Sequence, residues 1–169
     1  ILTIEISTSD FCWIHMLDIA IWLAGPIETV YGLVSNNTRV LHARTSSGII
    51  LSISGSRGWP LEHFLFRITV IGTNGRYEVE DVAGIGYMIF KGSKKRYDFS
   101  QLQEGRMQVL HKTFVRSLHR FINGLRAGVY STPSISDAMK QLLLDAALAE
   151  SSKRREVVIL DNNNYGILH

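Results

Sequence analysis

Residues Ser9 to Gly25 read "SDFCWIHMLDIAIWLAG". The run is apolar and carries two tryptophans, yet it holds His15 and Asp18 three residues apart, a costly place for ionisable groups unless each has a partner or a task. Apolar residues recur at Phe11, Ile14, Leu17 and Ile21. Ser9 or Asp10 is available as an N-cap and Gly25-Pro26 supplies a stop, so a helix is predicted over 9–24. Residues three apart on a helix share a face. His15 and Asp18 therefore meet a ligand together, the imidazole exchanging a proton with a hydroxyl while the carboxylate fixes its tautomer, or His15 is a hydrogen-bonded core histidine. From spacing alone the core histidine is the plainer reading.

Working outward, period-2 segments follow the stop at Glu28 to Ser35, Arg39 to Thr45, Gly48 to Ser54 and Phe64 to Ile71, each bounded by Asn, Gly, Ser or Pro. Asn74-Gly75 predicts a type I′ hairpin, since both central residues of that turn need positive φ. Two short strands near Gly86 to Phe90 and Arg96 to Phe99 extend the run, with Lys94-Lys95 as the turn between them. From Gln103 to Ala127 the period changes: Met107, Leu110, Phe114, Leu118, Phe121 and Leu125 form a helical stripe that ends at Gly128. Ser134 to Asp137 is a capping box opening a last helix to about Ser152. "EVVIL", Glu156 to Leu160, is a buried strand, and a polar tail follows from 161. The order helix, strand meander, two helices, strand predicts an α+β fold: one mostly antiparallel open-faced sheet with helices packed on one face. The other face, bearing Ile50, Leu65 and Ile71, is mixed in polarity and suits an interface between copies.

The totals agree with a single folded domain. The chain has 169 residues, 46% hydrophobic and 20% charged, with three prolines. Its net charge of +3 reads as a small excess and not as a concentrated basic face, so no nucleic-acid partner is expected. Cys12, the one cysteine, excludes an internal disulfide and fits a reducing cytoplasm. Trp13 to Ala24 is too short and too interrupted to span a bilayer, and no basic n-region precedes an apolar one, so neither a membrane segment nor a signal peptide is expected. His42, His63, His111, His119 and His169 show no ligand spacing with each other or with Cys12, so no metal is expected. Gly84-Ile85-Gly86 is a lone GxG without a following helix, which makes its glycines turn residues and not a dinucleotide loop.

Three segments in order resemble the C-terminal domain of the glucose-fructose oxidoreductase, inositol dehydrogenase and MocA-like family (Gfo/Idh/MocA). "HMLDIAIWLAG", His15 to Gly25, is similar to that family's H-x-x-D-x-x-x-W-L-x-G. "ITVIGTNGRYEVED" is similar to its strand, Gly-Thr-x-Gly turn and strand, and "FVRSLHRFINGLRAGVYSTPSISDAMKQLLLDAALAESSKRREVVIL" to its closing helix, loop, Ala-rich helix and strand. The resemblance implies that residues 1–160 are the substrate and oligomerisation domain of a two-domain oxidoreductase, whose separate Rossmann domain binds NAD or NADP and contributes a lysine. By itself such a domain would transfer no hydride and hold no cofactor. It further implies a sugar or polyol substrate, with His15 as the proton-transfer residue and Asp18 supporting it, and a homo-oligomer formed through the open sheet. Many family enzymes carry an aspartate four residues before the histidine. That position here is Phe11, with Asp10 one residue off and roughly 100° around the helix, and the two are the expected substrate contacts beside His15. Two functions stay open: a dehydrogenase domain, or a binding, regulatory or assembly protein of the same fold.

Overall fold

A computed structural model of the chain describes residues 1–58, 65–81, 84–98, 106–129, 133–161 and 166–168. Its elements are β1 (Thr3–Ser9), a 3-10 turn (Asp10–Cys12), α1 (Trp13–Ala24), β2 (Ile27–Val34), β3 (Thr38–Thr45), β4 (Ile50–Ser56), β5 (Phe66–Gly72), β6 (Gly75–Glu80), β7 (Ile85–Phe90), β8 (Ser93–Asp98), α2 (Arg106–Ala127), α3 (Ile135–Arg154), β9 (Val158–Asp161) and β10 (Gly166–Leu168). The strands make one sheet in the order β10-β9-β2-β3-β4-β1-β5-β6-β7-β8. Its pairs are antiparallel except β1 with β4. This is the α+β architecture expected, with α1 and α3 on one face of an open sheet.

Alternation fixes which side of each strand meets the helices. Ile4, Ile6 and Thr8 of β1, Leu41 and Ala43 of β3, and Leu51 and Ile53 of β4 are buried, while their neighbours point to the open face. Against them lie Trp13, Met16, Leu17, Ala20 and Ala24 of α1 and Leu143, Leu144, Ala147 and Leu148 of α3, spaced three or four apart as a helix face requires. Each fully buried large aliphatic side chain contributes about 1.5–3 kcal/mol.

Two local devices seat α3. At its start the Ser134 side chain accepts from the Asp137 N–H, while the Ser134 N–H donates to Asp137 Oδ2 at 2.8 Å, the predicted capping box. Near its end Gly32 of β2 lets the helix approach, since a Cβ there would lie 2.4 Å from Leu148 Cδ1. The Gly32 N–H then donates to the buried Ser151 hydroxyl at 3.1 Å, which donates in turn to the Glu156 carbonyl at 2.6 Å.

Several expectations shift. β1 forms at the centre of the sheet, where no strand was predicted. The turn between β7 and β8 is Lys91-Gly92, with φ of 48° and 79°, and Lys94, Lys95 and Arg96 lie on β8. The β5–β6 hairpin exists, but Gly72 faces Gly75, so its turn is Thr73-Asn74, with neither residue in the left-handed region. Gly75 is needed for a different reason: a Cβ there would sit 2.2 Å from the Ile89 carbonyl oxygen of β7. Leu65 is buried ahead of β5, not on the open face. Its carbonyl accepts from the Ser9 N–H and the Thr8 hydroxyl, and its N–H donates to Asp81 Oδ2. Within the stretch read as a polar tail, Gly166–Leu168 pairs with β9. Phe64, Phe99, His63, His169 and the start of the helix predicted from Gln103 lie outside the described residues.

Candidate functional site on the outer face of α1

At 100° per residue, His15, Asp18 and Trp22 fall within about 60° of one another, on the side of α1 opposite Trp13, Leu17 and Ala24. Phe11, one turn earlier, extends the stripe. The structure agrees: Phe11 is 82% and Trp22 81% exposed, His15 is exposed and Asp18 half-buried. The core-histidine reading therefore falls. His15 lies over the surface, and among the described residues neither its ring nor the Asp18 carboxylate has a hydrogen-bond partner. An imidazole, a carboxylate and an indole thus stand together on one side of α1, with the bare Phe11 ring in the turn before it.

What holds that helix in place is a charged network the sequence did not reveal. The Trp13 indole N–H donates to Asp145 Oδ1 of α3 at 2.8 Å. Arg39 of β3 pairs with the same oxygen at 3.4 Å, lies 5.7 Å from the Trp13 ring centroid, and reaches Asp10 Oδ1 at 3.3 Å. Arg57 takes the other Asp10 oxygen at 3.1 Å. Gly55 completes the seat, because a Cβ there would lie 2.6 Å from the Trp13 ring. A lone glycine inside an alternating strand signals such close approach, so Gly55 was findable; the arginines, distant in sequence, were not.

Asp10 is thereby committed to two arginines, and the residue one turn ahead of His15 is Phe11. Asp10, Arg39 and Arg57 also line a cleft of about 250 Å³ against the β2–β3 turn. Among the described residues no group of three or more His, Cys, Asp or Glu side chains converges as metal ligands would. His42 lies on β3, His111 and His119 on α2. Gly84 precedes β7 and Gly86 is within it, as turn and strand residues. No described helix is long and apolar enough to cross a membrane.

No protein-family model and no curated protein matches the chain. Solved structures do. An oxidoreductase from Agrobacterium radiobacter, in complex with NAD+, L-tartaric acid and magnesium, superposes with a TM-score of 0.80 at 16% identity, over 94% of this chain and 56% of that one. Levoglucosan dehydrogenase, in complex with NADH and L-sorbose, gives 0.80 at 14%, over 94% and 58%. Myo-inositol 2-dehydrogenase from Lactobacillus plantarum gives 0.72 at 19%, over 95% and 57%. The chain spans little more than half the length of each. It has the fold of the C-terminal half of Gfo/Idh/MocA-type oxidoreductases.

Proposed function

We propose that the chain is the substrate-binding and oligomerisation domain of an NAD(P)-dependent oxidoreductase of the Gfo/Idh/MocA family, acting on a sugar or polyol hydroxyl in the cytoplasm. The observation that carries this is the outer stripe of α1, in a fold that accounts for little more than half of each NAD- or sugar-handling neighbour. His15 would accept the proton of the hydroxyl that is oxidised; a nicotinamide held by the remaining part of such an enzyme would supply the hydride acceptor. Asp18, on the same helix face, supports His15. Phe11 and Asp10 border the substrate beside it. Copies associate through the open sheet face, where Tyr31, Leu33, Ile50 and Ile159 are exposed.

The test is turnover of a polypeptide joining this chain to its nucleotide-binding half, supplied with NAD or NADP and a panel of sugars and polyols. His15→Ala lowers turnover roughly 10²-fold if His15 carries the proton. Unchanged turnover removes it from the mechanism. One observation favours the second reading, a binding or assembly protein of the same fold: the position that would orient His15 holds Phe11, while Asp10 is taken by Arg39 and Arg57. A joined polypeptide that binds the cofactor yet turns over nothing on the panel supports that reading.

A further inference from the structure

The cleft beside the β2–β3 turn has Asp10, Arg39 and Arg57 on one wall and Asn36, Asn37 and Thr38 on the other. Arg57 is the open group in it. Its Nε–H donates to Asp10 Oδ2 at 3.1 Å, and among the described residues its two terminal nitrogens meet no acceptor. The side chain is 59% exposed, yet it is not loose. Asp10 is also gripped by Arg39, and Arg39 by Asp145. The Arg57 backbone N–H donates to the Asn37 carbonyl at 2.8 Å, which ties the arginine to the turn. A guanidinium held at Nε still offers the edge formed by its two terminal nitrogens, a pair of parallel N–H bonds that matches a carboxylate.

The turn adds neutral groups. Asparagine is common in turns because it tolerates positive φ, but neither Asn36 nor Asn37 has a positive φ, and neither carboxamide is hydrogen-bonded within the described residues. Ser35 closes the turn instead, its hydroxyl donating to the Thr38 carbonyl at 3.2 Å and accepting from the Thr38 N–H at 3.1 Å. The two carboxamides are left over as donors and acceptors, which is what the hydroxyls of a ligand need. Two arginines against Asp10 and Asp145 balance in charge, so one open fork suits one carboxylate and not a dianion such as phosphate. The volume, about 250 Å³, falls below the roughly 300 Å³ at which pockets for drug-sized ligands begin. We propose that this cleft binds a small hydroxylated carboxylate, its acid group on the Arg57 fork and its hydroxyls on Asn36, Asn37 and Thr38. Neither His15 nor a nicotinamide takes part, so binding here is independent of the oxidoreductase reading.

The test is calorimetric titration of the 169-residue chain with gluconate, glucuronate and glycerate, each beside the neutral compound that lacks its carboxylate: sorbitol, glucose and glycerol. At least one acid should bind saturably, and roughly tenfold or more tighter than its neutral counterpart. Arg57→Met should lower that affinity by a similar factor, and Asn36→Ala with Asn37→Ala should weaken it as well. Arg57 is largely exposed and neither asparagine needs its conformation, so melting temperatures should match the unmodified chain. Absence of saturable binding for all three acids overturns the proposal, as does binding that Arg57→Met leaves unchanged. So does inorganic phosphate binding as tightly as the acids, which would make the cleft a general anion site.

Discussion

α1 and α2 invert what their sequences suggest. α1 is apolar almost all round, the pattern of a helix sunk in a core, yet on its outer side His15 and Trp22 are exposed and Asp18 half-buried, with Phe11 bare in the turn before it. α2 is two-faced, the pattern of a helix lying on a core, yet among the described residues its side chains are exposed on both faces apart from half-buried Val109 and Leu110. Amphipathicity states that a face wants cover; it does not state that the same chain supplies it. What seats α1 is a mate for its inner side: small Ala20 and Ala24, Gly55 under the indole, and Asp145 waiting for the Trp13 N–H. Among the described residues no comparable receptor meets α2.

The sharpest way to break this contrast is large-to-small substitution on both helices. Trp13→Ala empties a fully buried site and leaves Asp145 without the indole N–H, so it should cost about 3–5 kcal/mol by urea denaturation. Phe114→Ala should fall within about 0.5 kcal/mol of zero. A large loss at Phe114 would mean that α2 is packed. Gly55→Ala comes next. The added methyl meets the ring of a tryptophan that is itself hemmed in, and a loss of about 1–3 kcal/mol is expected from the same measurement.

Much of this was legible where the cause is local. The stop at Gly25-Pro26, the alternation in β2 to β5 and the Ser134 cap are each encoded within a few residues. Ile4, Glu5, Ile6, Ser7 and Thr8 also alternate, so β1 was readable as a strand. Its place at the sheet centre, parallel to β4 and antiparallel to β5, depends on pairing across long separations that no local pattern carries. The β5–β6 turn misleads for a related reason: Gly75 is required by the backbone of β7, a non-local neighbour, and not by the turn. At the candidate site the placing of His15 and Asp18 on one helix face was legible and the exposure of His15 was not, because an apolar run gives no sign of which side is covered. The Asp10, Arg39, Arg57 and Asp145 network joins four distant segments and was invisible.

The cap of α3 tests the local side of this division with a smaller effect. Ser134→Ala should cost about 1 kcal/mol. The Ser134 backbone N–H, then its hydroxyl, and the nearby Lys140 hold the Asp137 carboxyl below its usual range. A carboxyl depressed in the folded state contributes stability that is present above its unfolded pKa, near 4. That contribution is lost as pH falls through the depressed value. α3 should therefore fray first in acid, seen as a loss of helical circular dichroism below about pH 4, and Asp137→Asn should remove that acid-dependent step.

The smallest expected effect separates the two kinds of histidine most cleanly. A buried, hydrogen-bonded His15 would leave an orphaned partner on truncation, at a cost of about 1–3 kcal/mol. The exposed His15 has no such partner among the described residues, so His15→Ala should move stability by less than about 0.5 kcal/mol, and Trp22→Ala should do no more. A stable fold combined with lost turnover in the joined polypeptide would tie the stripe to function alone. A destabilised fold would instead put His15 back into the packing of α1, and with it the outer face of that helix would cease to be the site.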